Sequence, residues 1–144
     1  MPVVLKVKTI MMVQRIQHAV ESKNLLTREQ AGFRWREECS AQAAALVEAV
    51  QRRREKRRMT FLMFVDLSKA YDIVPHEAML AKLDQIGIRG RMLSFIRALY
   101  ESSEFRVRAS VPGSTTGPTI KIMRGLRQGC PLSPILFDIF INDL

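Results

Sequence analysis

In four stretches of the chain, apolar residues recur every three or four positions, the spacing of one face of an α-helix. The predicted helices cover residues 9–22, 43–58, 75–86 and 92–99. The third is predicted to begin at Pro75 and to end before Gly87, a residue suited to the end of a helix. A fifth helix is predicted near the end of the chain, with Ser133 as N-cap and Pro134 at the first helical position.

Two other parts of the chain are predicted to form β-structure. Residues 60–65 are apolar and rich in β-branched and aromatic residues, which predicts a short strand buried on both faces. Apolar and polar residues alternate from Glu104 to Val111, and turn-forming residues follow at 112–117, so residues 104–123 are predicted to form a β-hairpin. The order of these elements predicts an α+β fold, with helices packed on a small antiparallel sheet.

Length and composition fit one domain, because the chain has 144 residues, of which 47% are hydrophobic and 26% charged. No apolar run approaches the roughly 20 residues that would cross a membrane, and no secretory signal is present. We therefore expect a soluble intracellular protein, nuclear or cytoplasmic. Cys39 and Cys130 are far apart and show no metal-ligand spacing, so they are interpreted as reduced thiols.

The net charge of +9 favours a polyanionic partner, either nucleic acid or an anionic membrane surface. Six of the cations lie within residues 52–58, at the end of the second predicted helix. A solvated helix end is the first interpretation of this run, because blocks of charge are usually exposed. Contact with nucleic acid and a nuclear-import signal are the alternatives.

A search for catalytic motifs excludes several enzyme classes. The sequence has no HExxH, GxxxxGK[ST], GxGxxG or GxSxG pattern, so zinc hydrolases and P-loop enzymes lose support. Candidate chemistry remains at Asp66, which ends the apolar run 60–65, at Asp72, and in the segment 124–131. A carboxylate at the end of a buried strand needs a hydrogen bond, an ion pair or a metal ion to compensate for its charge. Capping of the turn at Leu67–Lys69 is the structural alternative.

Three motifs resemble those of one enzyme family. Residues 64–74, FVDLSKAYDIV, resemble motif A of reverse transcriptases. Residues 125–144, GLRQGCPLSPILFDIFINDL, resemble motif B in the form found in retrotransposons without long terminal repeats and in the related group II intron enzymes. Upstream, QAGFR at residues 30–34 is similar to the fingers motif that precedes motif A. The likeness covers roughly residues 13–144, with the three motifs in the family's order.

The resemblance implies an RNA-directed DNA polymerase that adds deoxynucleotides to a primer 3'-hydroxyl by two-metal phosphoryl transfer. It implies an RNA template, a DNA primer and deoxynucleoside triphosphates as partners, and Mg²⁺ as the cofactor. Asp66 matches the catalytic metal ligand of motif A, and the backbone carbonyl of Leu67 is a second candidate ligand. Tyr71 matches the aromatic residue that lies under the sugar and excludes a 2'-hydroxyl.

Further site residues follow from the same resemblance. Gln128 matches the residue near the incoming nucleotide and template base, and Gly129 beside it lets nucleic acid approach the backbone. Three arginines are candidates for contact with nucleic acid: Arg34, Arg124 and Arg127. The competing interpretations are a surface ion pair for the first and solvent exposure for the other two. Asp72 is assigned a structural role, in an ion pair with a nearby cation.

Residues 1–144 are thus expected to be a partial reverse transcriptase domain, fingers and palm, with motif A near 61–72 and motif B near 124–144. No Asp-Asp pair occurs in the sequence, although motif C of the family supplies one, and no thumb follows. We therefore expect these residues to be inactive as a polymerase by themselves. The alternative is a non-catalytic retroelement remnant or a basic nucleic-acid-binding module.

Overall fold

The computed structural model describes residues 2–34, 37–107 and 117–143. Within these ranges the chain forms α1 (Val3–Ser22), α2 (Cys39–Glu55), α3 (His76–Gln85), α4 (Gly90–Glu101), β1 (Glu104–Phe105), β2 (Ile120–Lys121) and α5 (Leu132–Ile141). The predicted α+β class is confirmed. No helix in the described ranges is long and apolar enough to cross a membrane.

The apolar core is built by α1, α3, α4 and α5. Helix α5 packs against both α1 and α3, and α3 packs against α4. Leu136 of α5, Ile16 of α1 and Leu83 of α3 are all 0% exposed. Each such side chain contributes about 1.5–3 kcal/mol when it is removed from water, so this four-helix layer is the stable part of the molecule.

Helix ends follow the predicted signals closely for α3. The helix begins directly after Pro75, and its end is followed by Gly87 at a φ of +86°. The N–H of Gly87 donates to the carbonyl of Asp84, and that of Ile88 donates to the carbonyl of Leu83. This pair of bonds is the Schellman arrangement, which needs a left-handed residue and therefore favours glycine.

The prediction of a buried strand at residues 60–65 is wrong. This segment forms no strand, and the side chains of Phe61, Met63 and Phe64 are 80–86% exposed. Within the described ranges the sheet contains β1 and β2 alone, so no neighbouring strand is available to this segment. A strand is stabilised by its ladder hydrogen bonds and by the side chains opposite, and an apolar run without them remains exposed.

Helix α2 is confirmed as a helix, but its apolar stripe is not buried. Leu46 is 40% and Val47 is 55% exposed, and no residue of the helix is buried. Helical spacing therefore identified the secondary structure correctly. It could not show whether another element would cover the apolar face.

The predicted hairpin is confirmed in its antiparallel pairing, with Glu104 opposite Lys121 and Phe105 opposite Ile120. Residues 108–111 of the first predicted strand and 112–116 of the predicted turn lie outside the described residues. The apolar face of the hairpin is less covered than predicted, since Phe105 is 46% and Ile120 is 44% exposed. The sheet is consequently a small appendage to the helical core.

The start of α5 differs from the prediction. The helix begins at Leu132, so Ser133 is its second residue and not its N-cap. The hydroxyl of Ser133 donates instead to the carbonyl of Arg127 at 2.7 Å. The serine therefore fixes the loop that precedes the helix.

Candidate functional site

Three backbone hydrogen bonds join residues 71–76 to residues 123–126, and we call these two segments the junction. The N–H groups of Leu126, Gly125 and His76 donate to the carbonyls of Tyr71, Val74 and Met123, at 2.9, 2.9 and 3.2 Å. Pro75 and Arg124 also form an isolated antiparallel bridge. The segment that follows Asp66 is thereby held against the glycine-containing loop that leads into α5.

Gly125 lies where the two segments of the junction approach most closely. Its φ is +97°, and a Cβ at this position would lie 3.3 Å from the carbonyl oxygen of Asp72. The carbonyl of Gly125 is 2.9 Å from Nε2 of His76, so that nitrogen carries the hydrogen. His76 is buried and its ring packs against Tyr100, with ring centroids 4.9 Å apart. No sequence pattern indicates this role of His76, because its partner is a backbone carbonyl 49 positions away.

Tyr71 is held by a side chain of α5. Its ring contacts Phe137 edge to face, with centroids 5.0 Å apart and an angle of 74° between the ring planes. Burial raises the pKa of the Tyr71 hydroxyl, and the nearby carboxylate of Asp138 adds to the increase. The ring is therefore half-buried, neutral at physiological pH and fixed in orientation.

An open pocket of about 330 Å³ lies beside the junction. It brings together Asp72, Arg124, Arg127 and Gln128, so three of the predicted site residues share one surface. Both Nε and Nη2 of Arg127 donate to the hydroxyl of Ser103, at 3.2 and 3.1 Å. No cation within the described ranges lies at ion-pair distance from Asp72. The charge of the pocket is therefore set by its two arginines and by the carboxylates that also line it.

Asp66 and Leu67 do not line this pocket. Both lie on the exposed segment that precedes the junction. No group of three or more His, Cys, Asp or Glu side chains suited to a metal ion occurs in the part of the chain that the structure describes. The carboxylate of Asp66 and the carbonyl of Leu67 are hard oxygen donors, so they fit part of the coordination of a divalent cation such as Mg²⁺. Gly129 is exposed, with a φ of +73°.

Arg34 is held in an ion pair inside the fold. Its Nη2 and Nε contact the two carboxylate oxygens of Glu21 at 2.7 and 2.9 Å, and Nη1 donates to the carbonyls of Thr27 and Gln30. The pairing raises the pKa of Arg34 and lowers that of Glu21. Its side chain is only 15% exposed. The ion pair considered from the sequence is present, and contact with nucleic acid stays a prediction.

Asp138 connects α5 to the same region. It is 1% exposed, its Oδ1 accepts a hydrogen bond from Nε2 of Gln30 at 2.9 Å, and its Oδ2 has no partner among the described residues. Burial raises the pKa of this carboxyl to about 6. Asn142 adds two bonds, from the N–H of Thr27 and to the carbonyl of Leu25. Sequence reasoning missed Asp138, although an acid inside an apolar helix was a signal that could have found it.

Residues 1–144 match the family model described as reverse transcriptase (RNA-dependent DNA polymerase). The chain belongs to the reverse transcriptase family. It is 31% identical to the retrovirus-related Pol polyprotein from type-1 retrotransposable element R2 of Popillia japonica, over 91% of this chain and 19% of the relative. The R2 polyprotein of Nasonia vitripennis is 28% identical over 88% of this chain and 12% of the relative.

A third relative, the RNA-directed DNA polymerase from mobile element jockey of Drosophila funebris, is 26% identical over 93% of this chain and 14% of the relative. The predicted resemblance to retrotransposon reverse transcriptases is confirmed. The chain spans less than a fifth of the length of each of these three relatives. The junction joins the segment that resembles motif A to the segment that resembles motif B. Asp138 of α5 bonds to Gln30 of the QAGFR segment, and Asn142, directly after α5, bonds to Leu25 and Thr27 ahead of that segment.

Replacing Gly125 with alanine should destabilise this reverse transcriptase domain more than the matched change Gly87→Ala. Both glycines have positive φ, but only a Cβ at Gly125 meets another part of the backbone, whereas nothing lies within 4 Å at Gly87. Crowding of this kind costs about 1–3 kcal/mol beyond the cost of the backbone conformation. Urea unfolding followed by circular dichroism measures the difference. Equal losses in the two variants would show that the junction is not closely packed.

The buried carboxyl of Asp138 should make stability fall as pH rises. Its pKa is about 6 in the folded chain and about 3.9 in an unfolded one, so folding favours the protonated form, and that advantage is lost between these values. From pH 4 to pH 7.5, Asp138→Asn should gain on the order of 2–3 kcal/mol in unfolding free energy relative to the wild type. Asp84→Asn removes an exposed carboxylate as the control. A constant difference between Asp138→Asn and wild type across this range would refute the assignment.

Proposed function

We propose that the chain is the fingers and palm part of an RNA-directed DNA polymerase that extends a DNA primer on an RNA template with deoxynucleoside triphosphates. Membership of the reverse transcriptase family supports this activity. The observation that carries it in the structure is the junction, which holds the ring of Tyr71 and the loop containing Gln128 on either side of the same three hydrogen bonds. A polymerase site needs its substrate-contacting groups fixed in this way before substrate arrives.

We assign Asp66 and the backbone carbonyl of Leu67 to the binding of Mg²⁺. Both groups are exposed, and both are the oxygen donors that Mg²⁺ prefers. A Mg²⁺ held by these groups would supply activation of the primer hydroxyl and neutralisation of the triphosphate charge. Asp66 provides one carboxylate, and substrate phosphates and water supply the usual remainder of a Mg²⁺ coordination sphere.

Tyr71 is assigned to selection of the sugar. Its ring is half-buried and fixed against Phe137, so it forms a rigid surface that cannot move away from an extra hydroxyl group. Discrimination against a ribonucleotide is then steric, and it depends on α5 as much as on the tyrosine itself. A smaller side chain at residue 71 would admit the 2'-hydroxyl.

Nucleotide and nucleic-acid phosphates are assigned to the pocket beside the junction. Gln128 lines the pocket and is exposed, Gly129 follows it at an exposed position, and Arg124 and Arg127 provide the positive charge. Bonding to Ser103 fixes the guanidinium of Arg127, which reduces the entropy lost when it binds a phosphate. Arg34 is proposed to act on nucleic acid from the QAGFR segment, whose conformation its pairing with Glu21 maintains.

A metal-binding experiment on the chain tests the assignment of Asp66. Paramagnetic Mn²⁺ replaces Mg²⁺, and titration in the presence of a deoxynucleoside triphosphate should broaden the amide NMR signals of Asp66 and Leu67 before others. The variant Asp66→Asn should abolish this selective broadening, because the carboxylate is the charged ligand.

The matched control is Asp72→Asn, which removes an exposed carboxylate six positions further along the same motif. It should leave the broadening at residues 66 and 67 in place. Broadening centred elsewhere, or lost equally in both variants, would contradict the proposed metal site.

A further inference from the structure

Six cations at the C-terminal end of α2 form a surface that the proposed polymerase site does not use. We call it the basic end of α2, and it consists of Arg52, Arg53, Arg54, Lys56, Arg57 and Arg58. All six are exposed, and Glu55 is the one acid among them. No residue of α2 is buried, so solvent reaches the helix from all sides.

The backbone at the basic end folds into a defined turn. The N–H of Arg57 donates to the carbonyl of Arg54, and that of Arg58 donates to the carbonyl of Arg53, both at 2.9 Å. Arg57 has a φ of +51°, which places it at the left-handed position of a Schellman turn. Glycine or asparagine is usual at this position, because a Cβ is strained there. The chain therefore has a cation where helix termination alone favours a smaller residue.

Two of the five arginines make side-chain contacts within the chain. Arg53 donates from Nε to the hydroxyl of Thr60 at 3.0 Å and from Nη2 to the carbonyl of Met59 at 3.1 Å. Arg52 forms an i,i+4 ion pair with Glu48. The four remaining cations make no ion pair within the described ranges. They lie within five consecutive positions at an ordered turn, and Glu55 between them forms no ion pair within the described ranges, which is an electrostatic arrangement suited to a polyanion.

We propose that the basic end of α2 binds the phosphate backbone of nucleic acid, at a surface separate from the pocket beside the junction. Five of its six cations are arginines, which bind phosphate in bidentate fashion. The choice of nucleic acid as the partner rests on the proposed polymerase function, in which the same chain already binds nucleic acid. Asp66 lies eight positions after Arg58, a distance of at most about 29 Å, or roughly nine nucleotides of a helical strand.

Binding of labelled single-stranded RNA, measured by fluorescence anisotropy over a series of salt concentrations without divalent metal or nucleotide, tests the proposal. The triple variant Arg54→Gln, Arg57→Gly, Arg58→Gln should reduce the slope of log K against log salt by about 2, since each phosphate contact contributes about 0.7. The control Lys23→Gln, Arg28→Gln, Arg91→Gln removes the same charge from exposed positions elsewhere and should change the slope by less than about 0.7. Equal changes in the two triple variants would overturn the proposal.

The single variant Arg57→Gly separates binding from folding. Glycine relieves the strained φ, so the variant should unfold at the same temperature as the wild type or a higher one. It should nevertheless bind RNA several-fold more weakly at about 0.1 M salt. RNA affinity equal to the wild type would show that the basic end is only a solvated helix end.

Nucleic acid and anionic phospholipid both carry phosphodiester groups, and a binding measurement with vesicles of anionic phospholipid distinguishes between these two partners. If the wild type binds them more tightly than RNA, at equal phosphate concentration and through the same three residues, the proposal is overturned in favour of a membrane surface. The metal titration at Asp66 is independent of all these measurements. Its failure would contradict the polymerase proposal without changing the RNA slopes.

Discussion

The backbone hydrogen bonds of the junction are the constraint on which the arrangement of the site depends. They hold the segment after Asp66 against the loop before α5, although some fifty residues separate the two in sequence. Buried backbone N–H and C=O groups must be hydrogen-bonded, and each segment of the junction provides these partners for the other. Gly125 permits the close approach, His76 fixes its carbonyl, and α5 carries the ring that positions Tyr71. A change at any of these points is transmitted to the pocket.

Secondary structure was predictable wherever a local pattern decides it. The helical spacing of α1, α3 and α4 and the terminating Gly87 depend on neighbours three to five positions away, and the structure agrees with them. Burial was not predictable in the same way. Residues 60–65 and the apolar face of α2 have the composition of buried segments and are exposed, because burial requires a partner that a local pattern does not specify.

Site residues could be predicted from the sequence where they belong to a motif. Motif resemblance selected Arg124, Arg127 and Gln128 as candidates, and all three line one pocket. It did not find His76 or Asp138, whose roles arise from contacts 49 and 108 positions apart in sequence. These contacts can be recognised only when the packing of the elements is known. The core helix α5 thus both completes the fold and holds the three sequence motifs together.

Hydrogen exchange of individual backbone amides tests the central claim that the junction is a stable part of the fold. The amides of Gly125 and Leu126 donate within the junction, and the amide of Leu136 lies in the buried helix α5. The two junction amides should be protected to a degree comparable with Leu136, because they open only when the core opens. Exchange as fast as that of the exposed segment 61–65 would contradict it.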